Sequence, residues 1–189
     1  MDTEDINLLR KYNDLYLEII LRYKEQIEEK ETLYASDLPT LVSPHSESVV
    51  SLAAEFKGER YDPDKDFIEA AKKAYDYVRD KITNVNLPIK FWLKPEQVIK
   101  HSAGEHFDRY ILLCSLLLAL GNYTSKVIVA ENEQGIRPAV YFIFSEIAYM
   151  VDFEEGIKEF EGKEHILGYL KNNSLSIYEF NDKSYDSLL

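Results

Sequence analysis

Residues Gly104 to Gly121, GEHFDRYILLCSLLLALG, read as a helix that enters the core. Asp108 falls in its first turn, where a carboxylate favours the helix macrodipole by a few tenths to about 1 kcal/mol. Apolar side chains then run from Ile111 to Leu120, interrupted by Ser115, and Gly121 is a natural stop. That run is much too short to span a bilayer. Cys114, the single cysteine, lies within it between Leu113 and Leu116. A reactive thiolate needs partial exposure and an electropositive setting, whereas free cysteine is among the most buried residue types. Cys114 is therefore expected to be packing. With no second cysteine there is no intrachain disulfide, which suits a reducing interior.

Working outward, the approach to this helix is FWLKPEQVIKHSAGEHFD (91–108), with a short helix starting at Lys94–Pro95 and carrying Val98 and Ile99. Before it, Asp66 to Ile82 places Phe67, Ala71, Tyr75, Val78 and Ile82 on one stripe, a helical period, and Asn84 to Lys90, with Pro88, breaks it. A further short helix is expected from Glu47 to Phe56. After Gly121, strand-like runs follow at Lys126–Ala130, Pro138–Phe144 and Ile147–Asp152, joined by connections short enough for antiparallel neighbours. A helix around Lys163 to Leu170 and a last strand, Leu175 to Phe180, complete an α+β pattern.

Order and spacing of these segments resemble the transglutaminase-like superfamily, which includes papain-like cysteine hydrolases by fold. AAKKAYDYVRDKI (70–82) is similar to the helix preceding its core, FWLKPEQVIKHSAGEHFD to its approach, and SLLLALGNYTSKVIVA (115–130) to its leucines, glycine and first core strand. The flavour is that of archaeal and bacterial members of unknown substrate. The resemblance covers roughly Ser48 to Asn181. It implies an α+β domain, a core helix packed on an antiparallel sheet.

The family helix opens G-x-C-x-D-x-A-x-L-L, and alignment from Gly104, with Asp108, Ile111, Leu112 and Leu113 in place, sets His106 at the nucleophile position. In that family a Cys thiol attacks an amide carbonyl, a His takes its proton and an Asp orients the imidazole. The resemblance sets the histidine position at Ala139, in Ala139–Val140–Tyr141, and the aspartate at Asp152, in AYMVDFEEG. It thus implies a scaffold with neither thiol nor base: a binding or interaction module, a pseudoenzyme. The alternative is an amide or ester hydrolase rebuilt around a His106–Asp152 pair, with a water nucleophile or a metal.

Trp92, His106, Asp108, Tyr141 and Asp152 are the candidates for lining a surviving cleft. Asp152 either orients His106 or caps its strand before the Glu154–Glu155–Gly156 turn, and Trp92 either stacks on a ligand or packs in the core. Imidazole and carboxylate ligands suit zinc or iron, but His101 and His106 are five residues apart with Gly104 between, so they do not share a helix face with Asp108. No metal and no cofactor is expected, and His45 and His165 are expected at the surface.

From Asp5 to about Glu31 the sequence reads as one amphipathic helix, with Leu9, Tyr12, Tyr16, Ile19, Tyr23 and Ile27 at spacings of three and four, and Lys11, Asp14, Glu18, Arg22, Glu25 and Glu29 opposite. Such a face packs on its own domain, pairs with a second copy, or docks an unknown protein partner. Packing on its own domain is the expectation, because surface helices of globular proteins usually look this way. The expected organisation is this N-terminal helical extension over 1–33, a loop over 34–47 containing Pro39 and Pro44, and the transglutaminase-like domain over 48–189.

Composition sets the outer bounds. With 46% apolar residues, 30% charged, seven glycines and six prolines in 189, the chain is an ordered globular protein. A formal net charge of −12 without clustered lysine or arginine argues against a nucleic-acid partner. The N-terminal MDTEDINLLR is acidic and lacks the basic and apolar regions of a signal peptide; a soluble, cytoplasmic protein without a membrane partner is expected. Charge leaning on Glu and Lys also suits a heat-adapted (thermophile) protein.

Overall fold

Seven α-helices, one 3-10 helix and eight strands, six of them in one antiparallel sheet, are found among the described residues of the computed structural model, 3–32, 34–171 and 174–189. Met1, Asp2, Leu33, Asn172 and Asn173 fall inside segments delimited above and lie outside the described residues. The chain begins with α1 (Thr3–Arg22) and α2 (Lys24–Lys30), then α3 (Glu47–Phe56) and α4 (Pro63–Lys81). Two short parallel strands, β1 (Thr83–Asn84) and β2 (Ala103–Gly104), bracket α5 (Pro95–His101). The core helix α6 (His106–Ala119) leads to β3 (Lys126–Asn132), β4 (Gly135–Phe144), β5 (Ile147–Asp152) and β6 (Gly156–Phe160). Then α7 (Lys163–Lys171), β7 (Ser176–Phe180) and β8 (Tyr185–Ser187) complete the chain, and the strand order is β6-β5-β4-β3-β7-β8. This is an α+β architecture with an antiparallel sheet.

Alternation along the strands divides the core in two. Val127, Val129, Val140, Phe142 and Val151 face α6, and join it with α3, α4 and Val98 of α5. Ile128, Ala130, Ala139, Tyr141, Ala148 and Met150 face the other way, onto Ile166, Leu167 and Leu170 of α7. Every residue of α6 from Asp108 to Leu118 is buried, which is why the run shows no polar face. Ser115, the one break in it, donates to Ile111 O at 2.8 Å and accepts from Ser43 N at 3.1 Å, tying the preceding loop to the core helix.

The start of α6 is held by local chemistry. Asp62 caps α4 by accepting from Asp64 N at 3.1 Å, with Pro63 following. At the other end of α4, β1 pairs with β2, so the residues leading into α6 run along the exit of α4. Gly104 sits where a Cβ would come within 3.2 Å of Asp108 and 3.3 Å of Val98, so a side chain there would need these neighbours to give way by a few tenths of an ångström. Gly121 ends the segment at φ +102°, a conformation that favours glycine.

Two expectations change. The stretch expected as an extended loop contains a 3-10 helix, Ala35–Leu41, whose Leu38 and Leu41 are buried with Val42. Three residues per turn put positions 38 and 41 on one side, a period that Pro39 conceals. The N-terminal stripe does not pack on its own domain over α1: Leu9, Tyr12, Tyr16, Ile19 and Tyr23 are all exposed, and Ile27 of α2 is half-buried. The helix α2 is tied to the rest through Glu28, which accepts from Lys90 N at 2.9 Å. Among the described residues no helix is long and apolar enough to cross a membrane.

Candidate functional site

Where α6 begins, a cleft of about 240 Å³ opens between Asn86, Glu105, His106, Phe107, Ile136 and Pro138. Glu105 positions the wall by accepting from Leu87 N at 2.8 Å, which draws residues 86–87 over the helix start. Asp108 accepts from Glu105 N at 2.9 Å and from Leu93 N at 3.4 Å, so one side chain fixes both the helix start and its approach. Burial is the largest influence on that carboxyl and raises it to about 6, against the opposing pull of those two backbone donors.

His106 is half-buried, its ring edge-on to Tyr110 with centroids 5.1 Å apart. Beneath it, Tyr110 packs on Phe153 at 4.7 Å, and Phe153 stacks on Tyr75 at 5.7 Å. The Tyr110 hydroxyl accepts from Phe153 N at 3.1 Å; its acidity is driven down chiefly by burial. Arg109 lies over the Phe153 ring at 4.4 Å and donates to Val78 O and Arg79 O at 3.3 and 3.4 Å, capping carbonyls at the end of α4. No carboxylate pairs with this buried guanidinium among the described residues, and burial lowers its basicity.

Of the five residues expected to line a cleft, His106 alone does so. Asp108 is turned inward as a capping residue. Trp92 packs edge-on to Phe107 at 5.5 Å against the main apolar cluster. Tyr141 and Asp152 lie on the α7 face of the sheet. Tyr141 donates to Glu179 at 2.8 Å, and Glu179 also takes Lys126 and Lys163 at 2.7 and 2.8 Å.

The expected His106–Asp152 pair is not formed. Asp152 Oδ2 is held by Arg137 at 3.0 Å, and Oδ1 accepts from Glu154 N and Glu155 N at 2.7 and 3.2 Å. These bonds fit the strand-capping role. Ala139 also points away from α6, into the cluster with Ile166. On β4 the side chains toward α6 are Pro138, Val140 and Phe142, and past the end of β5 it is Phe153. A shift of one residue along a strand exchanges its faces, so motif order alone does not tell which face of the sheet Ala139 and Asp152 take.

Cys114 is fully enclosed, and burial is the largest of the influences that raise its thiol far above the ordinary range. Among the described residues no group of three or more His, Cys, Asp or Glu could hold a metal ion.

No family model and no curated protein matches the chain. Among solved structures it is similar to LapG of Legionella pneumophila. The calcium-bound form is 17% identical with a TM-score of 0.46, over 76% of this chain and 87% of that one. For the EGTA-treated form the figures are 16% and 0.47, over 78% and 87%. At that score and identity the likeness gives no correspondence of residues, and the site is defined by this chain's own geometry.

Proposed function

We propose that this protein is a transglutaminase-like domain without thiol chemistry, running over residues 48–189 behind an N-terminal helical extension, and that it works by binding. The observation that carries this is the composition of the cleft at the head of α6. His106 lines this cleft at the position that the sequence resemblance sets for a nucleophile, and the neighbouring strand offers it Ile136 and Pro138, which cannot exchange a proton. Acyl transfer needs a nucleophile and a base within hydrogen-bond reach of each other; here the imidazole has an aromatic cluster beneath it and apolar side chains across from it. The sole thiol is sealed inside the helix. What remains is a small open cleft with a carboxylate, an amide and an imidazole on its walls, suited to gripping a polar group.

The test is an assay on a panel of amide and ester substrates, with and without divalent metal, run beside His106→Ala. The binding reading expects no turnover from either protein. Turnover that disappears in His106→Ala would overturn it in favour of the hydrolase reading, with His106 acting without Asp152.

A further inference from the structure

Two aromatic pairs stand between α4 and the sheet. Near the start of the helix Phe67 packs edge-on to Phe142 at 5.1 Å, and further along Tyr75 stacks on Phe153 at 5.7 Å. Between these posts α4 offers only the methyl group of Ala71 and the margins of Ile68 and Lys72, which leave a pocket of about 330 Å³. Leu113 and Leu117 of α6 form its floor, and Phe142, Tyr149 and Val151 its sheet wall. Its mouth lies beside Ile157 on β6, the last strand of the sheet, 42% exposed. Apolar walls with a few polar groups, enclosing about 300 Å³ or more, are the form that small-molecule sites take. No residue is shared with the cleft at the head of α6, so what this pocket takes is independent of what that cleft does.

Four lining side chains carry polar groups: Tyr75 and Tyr149 with hydroxyls, Lys72 on α4 with an ammonium and Glu159 on β6 with a carboxylate. The two charged groups are exposed and come from opposite sides of the mouth, and among the described residues neither is in an ion pair. A ligand with a lone carboxylate gains Lys72 but meets Glu159, and a lone amine meets the reverse conflict. A zwitterion with an apolar body satisfies both lips. We propose that this pocket binds a free α-amino acid with a large apolar side chain, its carboxylate toward Lys72, its ammonium toward Glu159 and its side chain between α4 and the sheet. Phe142 and Tyr149, stacked at 5.0 Å, give an aromatic side chain rings to pack on.

Burial of the side chain supplies most of the affinity. An ion contact at an exposed lip adds only up to about fivefold, and its larger effect is selection: the same residue inside a peptide has neither charge and loses both contacts.

Calorimetric titration of the full chain with L-phenylalanine is expected to show one saturable site. Removing one ligand charge at a time, with 3-phenylpropionate or phenethylamine, should weaken binding by up to about fivefold, and N-acetylphenylalanine amide, which lacks both, should bind more weakly still. Lys72→Met should weaken L-phenylalanine but not phenethylamine, and Glu159→Gln should weaken L-phenylalanine but not 3-phenylpropionate; both side chains are exposed, so the fold is kept. Ala71→Phe sets a ring in the gap and should abolish binding. Absence of saturable binding at millimolar L-phenylalanine would overturn the proposal, as would Lys72→Met and Glu159→Gln variants that bind it unchanged. A capped amide that binds as tightly as the free amino acid would overturn it in favour of a peptide site, and dodecanoate that binds more tightly and displaces L-phenylalanine in favour of an acyl-chain site. Binding that persists in Ala71→Phe would place the amino acid elsewhere on the molecule.

Discussion

Cys114 is enclosed while His106, on the same helix, is half-buried at the cleft. With its thiol enclosed and hard to ionise, Cys114 is expected to react with a maleimide only as fast as the protein unfolds. Moving a thiol to the cleft by His106→Cys should add one fast-reacting site, counted by mass spectrometry after brief labelling. If Cys114 labels quickly in the folded protein, the packing described for α6 is wrong. Asp108 makes a second prediction. Its carboxyl is raised to about 6 in the fold, against 3.8 ordinarily, so the folded state holds this proton more tightly than the unfolded chain. Between about pH 4 and pH 6 ionisation therefore costs stability, and above that the loss is complete. Relative to the unaltered protein, Asp108→Asn should gain as pH rises through this window, by at most on the order of 3 kcal/mol, measured by denaturant unfolding at each pH. A pH-independent difference would remove the assignment.

The same residues show what was legible in the sequence. Gly104, Asp108 and the apolar run carry a strong local pattern, and α6 lies where that pattern puts it. The strand positions were read from motif order, and a face cannot be told from order alone. Tyr141 and Asp152 each find their partners in segments distant in sequence or one turn away, namely Glu179, Arg137 and the backbone after Asp152. The role of Arg109 is not legible in the sequence, because a lone arginine among apolar residues has no signature until α4 presents its terminal carbonyls.

Among the elements, helices with a caps-and-stripe pattern were readable, and α3 and α4 lie close to where periodicity places them. The strand β6 was hidden by its Gly156 turn, and its side chains alternate between half-buried and exposed rather than between core and solvent. The helix α7 is fastened to the sheet by charge as well as by its leucines. Burial pushes Glu179 up, but hydrogen bonds from Lys126, Lys163 and Tyr141 outweigh it and hold the carboxyl below its ordinary range. A depressed carboxyl contributes stability above its unfolded value, and that contribution is lost as pH falls through the folded one. Lys126→Met removes one of the two cations and should cost about 3 kcal/mol, with acid unfolding beginning at higher pH. Equal acid midpoints for the two proteins would show that Lys163 and Tyr141 suffice.

At the scale of the molecule, no described side chain of α1 belongs to either apolar cluster. A chain lacking residues 1–22 is expected to keep the melting midpoint of the full chain, checked by calorimetry on the two side by side. A lower midpoint for the truncation would mean that the helix supports its own domain after all. The core is arranged the other way. From Asp108 to Leu118 the helix α6 is covered around its whole circumference, by α3, α4 and α5 on some sides and by β3 and β4 on another. No single neighbour can lift away and leave its amides in water. Their hydrogens should therefore exchange with deuterium only through unfolding of the entire domain, and the slowest amides of this helix should report its global stability directly.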